Sequence, residues 1–248
     1  MNRDEGMTLK QAQSLAESLV DLLAASCIRI AVAGSVRRQK PSPNDIEIVT
    51  VPLFRHTILL PPEITMFETP KVEPRVKTDN VLDLRCDELL ALGTLEKRPD
   101  INEHYCWGTG VKRMVFFRGK DYAPVDLFQV IEPAQWGVIF AIRTGPGDFN
   151  HYLVTNQWIG GSCPKNRKVA GGRVWDLSLC SEKDQNTIAR TPAPKFIQLV
   201  EKGLIAATPI ETPEEEDFFR EMAIPCWMPE SRTIAGLQEF LRQKRREK

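Results

Sequence analysis

Gly34-Ser-Val-Arg-Arg38 and, seven residues further on, Asp45-Ile-Glu-Ile-Val-Thr-Val51 are the stretches on which the fold turns. Upstream of them, Ile28 to Ala33 is short, apolar and partly β-branched, so it reads as a buried strand that stops at the small-residue turn Gly34-Ser35. Arg37, Arg38 and Lys40 then share a loop with Pro41 and Pro43. Residues 45–51 read as a second strand whose polar and apolar residues alternate at its start, so Asp45 and Glu47 share one face. Two carboxylates placed in this way can share hard cations if a neighbouring strand supplies a third. Asp126, among Val125, Leu127 and Phe128, is the natural candidate, because an unpaired charge in so apolar a strand is costly unless a metal or a cation neutralises it.

Asp126 sits in the second arm of a predicted hairpin: Gly110 to Phe117, the turn 118–121, and Pro124 to Val130. At the N-terminal side, Thr8 to Gln11 has the form of a capping box, and Leu9, Ala12, Leu15, Ala16, Leu19, Val20 and Leu23 recur at helical spacing. Residues 52–80, rich in Pro and Thr, predict a connection with a few short strands. Val81 to Leu92 reads as a strand running into a short helix. Glu132-Pro opens a helix that the run Thr144-Gly-Pro-Gly147 ends, and another begins near Phe149-Asn150. Gly160 to Val174, with Lys165, Arg167, Lys168 and Arg173 among four glycines, predicts a mobile basic loop. Thr212-Pro-Glu-Glu215 is read as a second capping box, and residues 234–248 as an amphipathic helix with a basic tail.

Composition narrows the classes. The 248 residues are 42% hydrophobic and 27% charged with a formal net charge of zero, an ordinary globular balance. No apolar run approaches the roughly 18 to 20 residues of a membrane span, and the start MNRDEGMTLKQ lacks the apolar core of a secretory signal. A cytoplasmic, non-membrane protein is expected. Cys27, Cys86, Cys106, Cys163, Cys180 and Cys226 form no CxxC pair and read as reduced structural thiols; His104 with Cys106, or Cys163 with Cys180, leaves a metal knuckle as the less favoured reading. With no net field, any polyanion must be held by local basic clusters.

The backbone N–H groups and hydroxyl at Gly34-Ser35 suit a phosphate, and Arg38 adds a guanidinium fork. Phosphate donors close to candidate metal ligands suit phosphoryl or nucleotidyl transfer, in which two ions about 3.5 to 4 Å apart clamp the attacking and leaving oxygens. Taken singly, each feature has a plainer reading: Asp45 and Glu47 as the exposed face of an edge strand, Arg37 and Arg38 as a solvated turn.

In combination, Gly34-Ser-Val-Arg-Arg38, Asp45-Ile-Glu47, Val-Asp126-Leu, Gln-Trp-Gly137, Thr144-Gly-Pro-Gly-Asp-Phe-Asn150 and the late Glu211 to Phe219, Ile224-Pro and Pro229-Glu resemble the palm and nucleotide-binding segments of family X DNA polymerases over most of the chain. That resemblance implies an α+β fold: a nucleotidyltransferase palm with a mixed β-sheet flanked by helices over residues 1–130, and a small C-terminal α/β subdomain for nucleotide and DNA over 131–248. It implies that Asp45, Glu47 and Asp126 are catalytic ligands of two Mg²⁺ or Mn²⁺ ions, Asp126 lying nearest the attacking primer 3′-hydroxyl. Gly34, Ser35 and Arg38 match triphosphate contacts, Asn44 stands where these polymerases usually have Gly, Thr144 and Gly145 match the turn beside the incoming sugar, and Asn150 matches a side chain that contacts the base. Ile142 and Arg143 stand at positions that are aromatic in the vertebrate enzymes, which puts ribose discrimination in question.

The segments matched begin at the helix before Gly34, so the lyase domain and helix-hairpin-helix clamps of the larger relatives have no counterpart and lyase activity is not expected. DNA is then expected to be gripped by Lys112 and Arg113, the 165–173 loop and the tail 242–248, although short basic runs are more often solubilising. The favoured function is a monomeric, template-dependent DNA polymerase of gap-filling or repair type, acting on a nucleoside triphosphate and a DNA primer-template. The alternatives are untemplated transfer to DNA or RNA ends or to a protein, and a silent relative that binds nucleotide or a partner.

Overall fold

Ile46 to Val51 is apolar on both faces apart from Glu47 and Thr50, the pattern of a central strand covered from two sides. In the computed structural model, which describes residues 7–59, 75–107, 112–119 and 122–247, this strand, β2 (Ile46–Pro52), lies second in a five-stranded mixed sheet. β1 (Cys27–Val32) pairs antiparallel with β2, and β2 pairs parallel with β7 (Tyr122–Gln129). Beyond β7, β6 (Lys112–Arg118) and β5 (Leu95–Lys97) follow antiparallel. The predicted hairpin is therefore present as β6 and β7, while Gly110, Val111, Lys120 and Asp121 of its expected extent lie outside the described residues.

Alternation sends the two faces of the sheet to different cores. Ile46, Ile48, Val125, Leu127 and Val115 pack against α1 (Leu9–Leu23) and α3 (Val81–Ala91). Val49, Val51, Phe128 and Val130 pack against Trp136 and Phe140 of α4 (Trp136–Thr144). The opposite side of α4, through Val138 and Ala141, joins a third core with α5 (Gly147–Val154), α8 (Glu215–Glu221) and α9 (Ile234–Arg246). A helix with sequence WGVIFAI is apolar all round because it is covered on both sides. A three-stranded sheet of β8 (Arg167–Ala170), β9 (Arg173–Asp176) and β10 (Thr208–Ile210), with α6 (Glu182–Arg190) and α7 (Ala193–Glu201), completes the C-terminal part.

Several expectations change. Residues 81–91 are helical throughout as α3, because the Asn80 side chain accepts from the Asp83 N–H and caps the helix where a strand was expected to run; the strand, β4 (Arg75–Asn80), ends before it and pairs with β3 (Phe54–Leu59). The capping box lies two residues later than predicted, on Glu214 and Asp217, since Thr212 is buried and its N–H donates to the Ala134 carbonyl at 2.7 Å. The expected mobile basic loop is largely the β8–β9 hairpin, turned by Gly171 and Gly172, both with positive φ. Helices α6 and α7, for which no helical signal was read, are also present.

Buried charge ties the sheet to the C-terminal part. Arg37 donates to both oxygens of Glu215, at 3.0 and 2.7 Å, and to the Thr144 hydroxyl at 2.8 Å. Arg232, 1% exposed, donates to the same carboxylate at 2.8 Å. At the surface, Arg29 holds Glu214 in a fork at 2.9 and 2.6 Å and lies 4.1 Å over the Trp136 ring. Burial alone raises the Glu215 carboxyl, but the hydrogen bonds from Arg37 and Arg232 outweigh it and hold the group below its ordinary value of 4.5. Removing one partner of such a buried set leaves uncompensated charge, so Glu215→Gln is expected to cost about 3 kcal/mol in denaturant unfolding at neutral pH. Because the folded-state value is the lower one, that contribution is present above about pH 4.5 and is lost as pH falls further, so the difference between variant and wild type should narrow in acid.

Candidate functional site

The parallel pairing of β2 with β7 sets Glu47 directly beside Asp126. Asp45 precedes β2 by one residue, two before Glu47. On the far side of Asp126 the register continues to Met114 of β6, and the Arg98 N–H donates to the Met114 carbonyl at 2.9 Å. Side chains directly opposite in a sheet share a face, so Glu47, Asp126 and Arg98 stand in one row across three strands and the segment after β5. Arg98 ion-pairs with one Asp126 oxygen, and Lys112 reaches the other at 2.7 Å.

Three carboxylates are thus drawn together at one end of the sheet, and their electrostatics show the strain. Burial, reinforced by the adjacent Asp45 carboxylate, pushes Glu47 up to about 7 against the pull of Arg143 and Arg38. Burial and then Asp126 raise Asp45, opposed by Arg98, Lys112 and Arg38. Burial lowers Arg38 and Arg143 even though both face carboxylates. Arg143, in the last turn of α4, lies 3.8 Å over the Phe128 ring and adds a fourth cation to the cluster.

The candidate phosphate turn is the one-turn helix α2 (Gly34–Arg37). Gly34 has φ +63, and a Cβ there would fall 2.1 Å from a Glu47 carboxylate oxygen, so both the backbone conformation and the close approach require glycine. Ser35 is buried and its hydroxyl has no partner among the described residues. Arg38 donates to the Thr144 carbonyl, which brings the 34–38 turn and the 144–150 turn together. Asn44 is exposed at the bend before Asp45. Asn150 is 9% exposed, and its amide donates to the carbonyls of Ile142 at 2.6 Å and Gly145 at 2.8 Å, bracing the α4–α5 turn; its Oδ1 is buried and unpartnered. Gly145 is needed there because a Cβ would meet that oxygen at 2.2 Å.

Three clustered carboxylates are hard oxygen donors of the kind that suit divalent cations such as Mg²⁺ or Mn²⁺. As they stand, however, no group of three or more His, Cys, Asp or Glu among the described residues is arranged to hold a metal, and Asp126 is turned to Arg98 and Lys112. Arg98 had no signal in the sequence, since β5 is three residues long and its pairing is non-local. Lys112 was read as a DNA contact and instead pairs with Asp126.

The other cations expected to grip DNA are also largely committed. Arg113 is 2% exposed and donates to Asp83 at 2.7 Å beneath Trp107, so it offers no surface to a polyanion. Arg167 pairs with Asp176 and Glu221, and Arg173 with Glu132. Lys168 is buried and closes the end of α6 by donating to the carbonyls of Ile188 and Thr191 at 3.0 and 2.9 Å. All six cysteines are free thiols; burial pushes Cys27 up to about 11 and Cys86 and Cys163 up to about 12, the values of unreactive core residues.

No known protein-family profile matches the chain, and no curated protein resembles it significantly in sequence. Its fold is shared with polymerase beta of Leishmania infantum. The solved ternary P/T complex of that protein aligns with 93% of this chain and 77% of its own at a TM-score of 0.54 and 18% identity. Its ternary gap complex aligns with 92% and 71% at a TM-score of 0.56 and 17% identity. The α+β architecture with a mixed sheet flanked by helices is therefore the fold of that polymerase beta. Among the described residues no helix is long and apolar enough to cross a membrane.

The Glu47 shift has a measurable consequence. With a folded-state value near 7 against an ordinary 4.5, the folded chain holds an extra proton between those values, and the metal-free protein loses stability as pH rises through that window. In the presence of a chelator, Glu47→Gln is expected to stabilise by about 1 to 3 kcal/mol at about pH 8 and by almost nothing at about pH 4. A loss of stability at the higher pH would contradict the assigned environment.

Proposed function

We propose that this chain is a metal-dependent nucleotidyltransferase that adds nucleotides to a DNA primer 3′-hydroxyl under the direction of a template. The observation that carries the reading is the side-by-side placement of Glu47 and Asp126 on parallel strands, with Asp45 close enough for the carboxylates to raise one another's values on top of burial. The shared fold with polymerase beta supports it. In this reading residues 1–130 carry the chemistry and residues 131–248 hold nucleotide and DNA, as a monomer.

Asp45, Glu47 and Asp126 would hold two divalent ions, Mg²⁺ or Mn²⁺, which supply the charge that activates the attacking hydroxyl and stabilises the leaving pyrophosphate. Asp126 becomes available when it leaves Arg98 and Lys112, and those two cations are then free to balance the negative charge of the acceptor. Gly34, the unpartnered hydroxyl of Ser35 and the guanidinium of Arg38 bind the triphosphate, with Asn44 at the mouth of the turn. Arg38 gives up the Thr144 carbonyl to do so. Thr144 and Gly145 border the sugar, and Asn150 shapes their turn while presenting its unpartnered oxygen. The protein's part is to position charge that needs no reorganisation as the reaction proceeds.

A second reading changes the acceptor while keeping the chemistry: untemplated addition to DNA or RNA ends, or transfer to another molecule. It draws on the internal pairing of Arg113, Arg167, Lys168 and Arg173, which leaves few cations for a duplex. Labelled primer, with and without template, offered each dNTP and rNTP with Mg²⁺ or Mn²⁺, separates the two readings. Asp126→Asn is expected to lower turnover by about 10³-fold or more while the far-UV spectrum stays native; full activity in that variant sinks the carboxylate assignment.

A further inference from the structure

Outside the carboxylate cluster, one groove combines unpaired cations from two separate elements. It encloses about 390 Å³ between the segment 157–166 and α9, with Lys165 on one wall, Lys244 and Arg245 on the other, and Leu241 in its floor. Among the described residues no carboxylate lines it. Lys165 and Arg245 are exposed and pair with no acid among the described residues. Lys165 extends 4.1 Å over the ring of Trp158, which holds its ammonium in place, and Lys244 is anchored by donating to the Ala223 carbonyl at 2.7 Å. The helix that supplies one wall follows Pro229-Glu230, the last motif shared with the polymerase pattern.

We infer that this groove binds the phosphodiester backbone of a nucleic acid, as a second contact away from the carboxylates. Cations on facing walls over an apolar floor, with an aromatic ring beside them, follow a phosphate chain and supply no deep pocket for an apolar anchor. Of the other basic residues expected to meet DNA, Lys112, Arg113, Arg167 and Arg173 are each paired with an acid and Lys168 is buried against the end of α6. A molecule of zero net charge has to hold a polyanion through a local cluster of this kind. The inference rests on the reading that the chain acts on nucleic acid.

Fluorescence anisotropy of labelled single-stranded and primer-template DNA, without metal or nucleotide, tests it over a range of salt concentrations. Lys165→Gln with Arg245→Gln is expected to weaken binding about 10-fold at about 100 mM salt and to reduce the salt slope by about 1.5 to 2. Lys165→Arg with Arg245→Lys should retain wild-type binding, and both pairs should unfold at the wild-type temperature. In primer extension the glutamine pair should raise KM for DNA by a similar factor, with kcat and the KM for nucleotide unchanged. Equal affinity and equal salt slope in the glutamine pair, or no DNA binding by the wild type, overturns the inference. Binding of a poly-glutamate peptide in place of DNA, lost in the glutamine pair, assigns the groove to an acidic protein segment and also overturns it. DNA binding that the glutamine pair weakens, together with no primer extension, removes the polymerase reading and leaves the groove standing; extension with unchanged binding does the reverse.

Discussion

The Glu215 carboxylate, enclosed by the guanidinium groups of Arg37 and Arg232, sets the relation between the sheet and everything that follows it. Arg37 belongs to the turn after β1, Glu215 begins α8, and Arg232 precedes α9, so one buried acid joins three segments far apart in sequence. Arg37 also donates to Thr144, and Arg38 beside it donates to the Thr144 carbonyl. The position of the 34–38 turn against the 144–150 turn therefore follows from where Glu215 is held. The hydrocarbon cores on either side of α4 bring these segments together, and the charged set fixes how they face one another, since a displaced partner would leave the buried Glu215 or Arg232 charge uncompensated.

The carboxylate end of the sheet has the opposite character. There the acids outnumber their close partners: Asp126 takes both Arg98 and Lys112, while Glu47 and Asp45 are served at longer range by Arg38 and Arg143. The β2–β7 register makes this crowding unavoidable, because a parallel pair has no freedom to slide without sending Ile46, Ile48, Val125 and Leu127 out of their core. A core of aliphatic side chains thus imposes an arrangement that its polar members resist.

Basic residues illustrate how far charge can be read along a chain. Lys165, Arg167, Lys168 and Arg173 form one cluster in sequence, yet the β8–β9 hairpin sends Arg167 to Asp176 and Glu221, Arg173 to Glu132 and Lys168 into the end of α6. Alternation along the strands divides the run among different neighbours, and only Lys165, ahead of β8, keeps its charge for solvent. Arg113 is hidden for the same reason, one residue along β6 from Lys112 and on the opposite face.

Local chemistry was sufficient to place β1, β2, the β6–β7 hairpin, α1 and α9, because each has a strong period or a side-chain cap within a few residues. It was also sufficient to single out Glu47 and Asp126, which the β2–β7 register sets side by side. It missed α6 and α7, placed the α8 cap two residues early, and gave no sign of Arg98, Arg143 or Glu215 as members of charged clusters. Those depend on which strand lies beside which and on how α4 and α8 meet. Pairing partners separated by tens of residues are chosen by the burial of whole faces, and no short window of sequence contains both halves of that choice.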